Sequence, residues 1–267
     1  MSTHFSFSNA DTCKKIVDIL TEVLDSAVIF LCKENEIIVT GIDPNRISLL
    51  EIRFKKDELL TYHWTNNTRF SVYVKSLHTI LRTVNRNDMI LFSMTEDEDT
   101  AETLHITTDN TSCKKTFSLN LLLDESELVD MTDLDYTTIF TMSSKLFHEV
   151  CTNIKTIDGE IGKFTNERKS VQIQTDSDIC SSFIVELKSE QTESKEQNET
   201  IVVHEDDGKE DLDIIIPIAY LNIYSKMHAL ADKVKIYMCN EIPMRLHFPF
   251  QEGVADFYIS ARFNDQD

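Results

Sequence analysis

IIIPIAYLNIYSKMHALADKVKIYM, residues Ile214–Met238, reads as the end of a strand, a helix and a second strand. The stretch FSVYVKSLHTILRTVNRNDMILFSM, Phe70–Met94, lies 144 residues earlier and aligns with it without a gap. Leu77 falls on Leu221, Arg82 on Lys226, Asp88 on Asp232 and Met94 on Met238. The apolar positions follow, Val74 on Ile218, Ile90 on Val234 and Phe92 on Ile236. One supersecondary unit is therefore used twice, and in each copy the helix ends on a cation.

Working outward, both halves repeat the same rhythm. Phe5–Phe7 reads as a strand and Asp11 as the N-cap of a helix reaching about Asp25. That helix has one apolar face: Cys13, Ile16, Val17, Leu20, Val23 and Leu24. Strand patterns follow at 27–32, 36–40, 48–54 and 59–65, then the helix of the first copy, then strands at 89–93, 103–107 and 115–123. The acidic segment LDESELVDMTDLD, 123–135, breaks the rhythm and reads as a surface linker, with Leu128, Val129 and Met131 packing beneath it. The pattern then restarts with a strand at 136–142 and a helix at 143–154 whose apolar face is Leu146, Phe147, Val150, Cys151 and Ile154. Short strands fill the remainder, and the polar run 188–198 has no core residue. Many short strands and few helices, twice over, predict an α+β chain of two similar domains, 1–122 and 136–267.

Composition narrows the function classes. The chain has 267 residues, 41% of them hydrophobic, and no apolar run long enough to span a membrane. Its six cysteines are scattered without a CxxC pair, which fits free thiols in a reducing compartment. The formal charge is −20, so any contact with nucleic acid depends on where the few cations sit. Five glycines supply neither a P-loop nor a dinucleotide fingerprint, and no HExxH or GxSxG occurs. The acid clusters Glu96–Asp99 and His204–Asp207 are the only places where a hard cation, and with it a nuclease, is conceivable; as charge runs they read as solvated turns. No catalytic residue, metal site or cofactor is expected. Cations on the helix faces, Lys14, Lys15, Lys75, Arg82, Lys145, His148 and Lys226, suit contact with phosphates without base readout.

The residues YLNIYSK (220–226), IVTGIDPNRISLLEIRF (38–54), the N-terminal helix with Lys14–Lys15 and NEIPM (240–244) resemble the proliferating cell nuclear antigen family of sliding clamps, from Phe5 to Phe263. The resemblance implies the clamp fold: two domains of like topology, each with two helices packed on antiparallel sheets, and three subunits head to tail in a ring. The helices would line the hole and face duplex DNA through Lys14, Lys15, Arg82, Lys226, Lys145 and His148. Where the family commonly has further cations, this chain has Thr21, Thr79, Thr152 and Ala219. A pocket for partner peptides would involve Ile42, Arg46, Ile47, Leu49, Val129, Met131, Pro243, Tyr258, Ile259, Ser260 and Ala261. Here the family's linker motif is replaced by Val129-Asp130-Met131-Thr132, and its Ala-Pro by Ser260-Ala261. The subunit interface would pair 112–120 with 179–187 of the next copy, including Lys115, Phe117, Ile179 and Ile184. Arg168 and Lys169 lie near a lysine that is modified in the family. The implied role is polymerase processivity and recruitment of replication and repair proteins, in the nucleus or a viral replication compartment. An ATP-dependent loader is implied too, and no membrane. The alternative within the fold is one subunit of a heterotrimeric checkpoint-type clamp.

Overall fold

The computed structural model describes residues 3–64, 67–94, 103–123, 128, 129, 131, 134–167, 170–188, 202–206 and 211–261, with backbone alone for 167 and 202–206. The chain divides into two compact units. The first comprises Met1–Leu128 together with Gln251–Val254, and the second Val129–Phe250 with Ala255–Asp267.

In the first unit the elements are β1 (Thr3–Phe7), α1 (Asp11–Val23), β2 (Ala27–Cys32), β3 (Glu36–Ile42), β4 (Ser48–Lys55), β5 (Thr61–His63), β6 (Thr68–Tyr73), α2 (Val74–Arg82), β7 (Met89–Met94), β8 (Thr103–Asp109) and β9 (Lys114–Asn120). The second repeats them as β10 (Thr138–Ser143), α3 (Ser144–Thr156), β11 (Ile161–Glu167), β12 (Ser170–Thr175), β13 (Phe183–Lys188), β14 (Val202–Asp206), β15 (Asp213–Pro217), α4 (Ile218–Tyr224), β16 (Lys233–Met238), β17 (Met244–Phe250) and β18 (Gly253–Ile259). Strand order is the same in both: β5-β1-β7-β8-β9 answers β14-β10-β16-β17-β18, and β4-β3-β2-β6 answers β13-β12-β11-β15. The assigned ladders are antiparallel, as between β1 and β7 or β10 and β16.

The 144-residue offset holds at the level of single residues. α2 starts at Val74 and α4 at Ile218; β7 and β16 both end on the aligned methionines. Val74, Leu77, Ile90 and Phe92 are buried, and so are Ile218, Leu221, Val234 and Ile236. The first helices align at an offset of 131, since Cys13, Ile16, Ile19, Leu20 and Val23 are buried in α1 and Ser144, Phe147, Val150, Cys151 and Ile154 in α3. That register equates Lys14 with Lys145. Rings fill both cores: Phe5 stacks on Phe92 in the first, and Tyr224 on Phe257 in the second.

Three expectations change. Asp11 is the first helical residue rather than the N-cap, and its N–H donates to Asn9 Oδ1 at 3.1 Å. The second copy's helix does not run on to Lys226: α4 stops at Tyr224 and Ser225–Ala229 is a 3-10 turn. The cause is local, because Ser225 Oγ donates to the Asn222 carbonyl three residues back, where the aligned Leu81 has no hydroxyl. Finally, Leu128 and Val129 are not packed under the linker but are 45% and 48% exposed. The polar run 189–198, Glu96–Asp99, Asp207 and the Arg168–Lys169 pair lie outside the described residues.

Candidate functional site

Each unit presents one helix pair, and the charges on the two pairs are arranged differently. On α1 and α2 nearly every cation has a partner. Lys14 Nζ donates to the Leu81 carbonyl at 2.8 Å and the Val84 carbonyl at 2.5 Å, which caps the end of α2. Lys15 pairs with Asp11 at 2.7 Å, and Arg86 approaches the other oxygen of Asp11 at 3.6 Å. Lys75 meets Asp25 at 3.4 Å and His78 meets Asp18 at 3.0 Å. Arg82 is exposed, with no carboxylate in ion-pair reach among the described residues. Lys14, expected to face phosphates, has its ammonium on carbonyls of its own unit.

On α3 and α4 the arrangement is open. Lys145 and Lys155 are exposed and meet no carboxylate among the described residues. His148, expected among the DNA-facing residues, is held against the turn following α4. Its Nδ1 lies 2.8 Å from Ser225 Oγ and its ring stacks on His228, centroids 4.1 Å apart. Because the Ser225 hydroxyl already donates to Asn222, His148 supplies the Nδ1–H. Burial, then the neighbouring His228 and Lys226, lower its pKa below the ordinary 6.5, so it is neutral at pH 7. His228 Nδ1 in turn donates to the Ser225 carbonyl at 3.1 Å. Lys155 escaped the reading of the sequence, although it falls on the stripe 145, 148, 152, 155 of one helical face.

The residues proposed for a peptide pocket fall in both units. In the first, Ile42 is 38% exposed, Ile47 is half-buried and Leu49 is buried. Arg46 is exposed in the left-handed region at φ 57°, in a turn where the Asp43 carboxylate accepts the N–H groups of Asn45 and Ser48. In the second, Val129 and Ser260 are exposed, and Met131, Pro243 and Ala261 are half-buried. Tyr258 is 5% exposed and Ile259 0%, because strand alternation turns Ile259 to the helix-covered side with Phe257 and Ala255. Ile259 thus packs in the core of its unit.

The proposed interface residues lie on sheet edges. β9 and β13 each end the strand order of their sheet. On β9, Lys115 and Phe117 are half-buried; on β13, Ile184 is 55% exposed, and Ile179 in the preceding turn is 67% exposed. The counterpart of β13 in the first unit is β4, and there the edge is covered. Lys55 N–H donates to the Glu252 carbonyl at 3.1 Å, and Thr12 Oγ1 donates to the Glu252 carboxylate at 2.9 Å. A Cβ at Gly253 would stand 1.9 Å from the Arg53 carbonyl, so only glycine permits that approach. Two exposed edges on one chain are templates for pairing with another.

Among the described residues no group of three or more His, Cys, Asp or Glu could hold a metal ion. Of the acid cluster His204–Asp207, residues 204–206 form part of β14. Cys13, Cys32 and Cys151 are buried thiols whose burial raises their pKa, which leaves them inert as nucleophiles. Among the described residues no helix is long and apolar enough to cross a membrane.

Two family profiles divide the chain between them. "Proliferating cell nuclear antigen, N-terminal domain" matches residues 3–128, and "Proliferating cell nuclear antigen, C-terminal domain" matches 130–263. Full-length relatives include the "Proliferating cell nuclear antigen" of Caenorhabditis elegans, 21% identical over 97% of each chain. The "Proliferating cell nuclear antigen" of Saccharomyces cerevisiae is 23% identical over 98% of each. The "Probable DNA polymerase sliding clamp" of Autographa californica nuclear polyhedrosis virus is 24% identical over 98% of this chain and 96% of its own. Matched over both duplicated halves, this chain belongs to the proliferating cell nuclear antigen family.

Proposed function

We propose that this protein is a DNA sliding clamp that tethers a DNA polymerase to duplex DNA and recruits replication and repair proteins. The observation that carries the reading is the end-to-end match to proliferating cell nuclear antigens and to a viral protein named as a polymerase sliding clamp. The strand-for-strand duplication supports it, since a ring built from repeated units presents like helix pairs around its hole.

In this reading three copies join head to tail, β9 of one against β13 of the next, and hide both of these edges. Lys145, Lys155, Lys226 and Arg82 face the phosphates, with weak contacts that carry no base readout. Holding DNA by topology makes strong attraction unnecessary, which suits a chain of charge −20. Partner peptides set an apolar anchor against Met131, Pro243 and Tyr258 of the second unit. An ATP-dependent loader opens the ring, no chemistry is done by the clamp itself, and its place is the nucleus or a viral replication compartment.

The test is retention after loading. A nicked circle should hold the protein and a linear duplex should release it by sliding off; equal retention on both would sink the reading. Mass in solution across concentration separates a self-assembling trimer from a monomer that needs related chains to close a ring.

A further inference from the structure

The outward face of β16 and β17 carries a group of side chains that the clamp reading leaves without a task. Strict alternation turns Lys233, Lys235 and Tyr237 outward on β16, and Arg245 and His247 on β17; the cross-strand pairs are Tyr237–Arg245 and Lys235–His247. Lys235 Nζ lies 4.8 Å from the centre of the Tyr237 ring and the Arg245 guanidinium 5.0 Å from it. Behind them Asp256 is 2% exposed, and one of its oxygens accepts from Arg245 Nε at 2.7 Å and from His247 Nδ1 at 2.9 Å. Burial alone would raise the Asp256 pKa; the bonds from His247 and Arg245 outweigh it and keep the carboxyl ionised.

This buried carboxylate fixes the guanidinium in one orientation. With Nε taken, the fork of terminal nitrogens remains for a planar acceptor of carboxylate size. The aligned positions of the first unit show that the sheet does not require such a group. Leu91 stands for Lys235, Ser93 for Tyr237, His105 for Arg245 and Thr107 for His247. Among the described side chains facing outward on β16, β17 and β18, three cations, Lys233, Lys235 and Arg245, stand with Asp256, a locally positive group on a chain of charge −20. The group also adjoins two residues of the proposed peptide pocket: Arg245 lies 5.7 Å from the Tyr258 ring, and Tyr136, whose ring is 5.3 Å from Tyr237, donates to the Pro243 carbonyl.

We propose that this face docks an acidic segment of a partner protein, its carboxylate held by Arg245 and Lys235 over Tyr237, beside an apolar anchor seated at Pro243 and Tyr258. The position of the anchor rests on the pocket reading above; the acidic preference does not. The ring at Tyr237 and a single free guanidinium edge favour a side-chain carboxylate over the extended phosphate track of a duplex.

The experiment uses the full chain and three synthetic peptides by calorimetry: an aromatic anchor followed by four Asp, the same anchor followed by four Asn, and the four-Asp run without an anchor. The anchored Asp peptide should bind about tenfold tighter than the Asn peptide at low salt. That gap should close to under about twofold in Lys235→Gln, which leaves Asp256 and its partners in place, and in the double variant Arg245→Gln/Asp256→Asn, which avoids an orphaned buried charge. Equal affinities of the two anchored peptides, or a gap untouched by either variant, would overturn the proposal while leaving the pocket standing. Arg245-dependent binding of the anchorless Asp peptide, with no gain from the anchor, would support the acidic site and reject the pocket. Failure of all three peptides, or Arg245-dependent binding of a short duplex instead, would overturn the proposal.

Discussion

The Leu81 carbonyl in the first unit and the Ser225 carbonyl in the second occupy the same place in the repeat, and they are satisfied differently. In the first, Lys14 reaches across from α1 and donates to it. In the second, His228 donates from the 3-10 turn, and Lys145, the counterpart of Lys14, is left exposed. The residue aligned with His228 is Val84, whose side chain cannot cap a carbonyl. One substitution at the end of a helix therefore decides whether a lysine on another helix is a structural cap or a surface charge. The edges teach the same lesson, since β4 is covered by the segment around Gly253 while its counterpart β13 is left exposed.

The largest effect is expected where the edges differ. Gly253→Ala forces a methyl onto the Arg53 carbonyl and should cost roughly 3 kcal/mol or more, read as a lower urea midpoint. Ile184→Asp on β13 should leave the unfolding midpoint of the subunit within about 0.5 kcal/mol yet abolish self-assembly, read by mass in solution. A trimer that survives Ile184→Asp would break the comparison.

Next comes the lysine pair. Lys14→Met removes two charge-assisted bonds and should destabilise by about 2 kcal/mol, whereas Lys145→Met should leave stability unchanged and weaken retention on DNA. The reverse pattern would mean that the two lysines have been assigned the wrong roles. His228→Val sharpens the point, because it gives the second unit the residue of the first. Lys145 is then expected to turn back to the Ser225 carbonyl, with a several-fold loss of DNA retention and a measurable slowing of Lys145 acetylation by a chemical probe.

The smallest effect is a pH dependence. His148 has a folded pKa below 6.5, so on acidification the unfolded chain binds the proton first. Its contribution to stability is complete above that unfolded value and is lost as pH falls through the folded one. Unfolding midpoints of the native chain should therefore decline more between pH 7 and pH 5 than those of His148→Gln; identical profiles would remove the histidine from the account.

Much of the fold was legible in local pattern. The gapless repeat of 70–94 in 214–238 was enough to place α2, β7 and their second copies, because helical and strand periods repeat over a few residues and depend on nearest neighbours. The surroundings of Lys14, His148 and Ile259 were not legible in the sequence for one shared reason. Each depended on what another element brings within about 3 Å: the end of α2, the Ser225 hydroxyl, or the side of a sheet. Helical spacing placed Lys14 outward on α1, but spacing says nothing about a neighbouring helix whose carbonyls need donors.

By itself, then, the sequence determined two α+β units of one topology, the apolar faces of their helices, the absence of familiar catalytic motifs and the likeness to a clamp family. Only the tertiary structure decided which lysines remain available, that His148 is neutral, that β13 and β9 are uncovered edges while β4 is not, and that Arg245 is locked by Asp256. Periodicity is written in neighbouring residues, whereas charge availability and edge exposure depend on contacts between residues as far apart as Thr12 and Glu252.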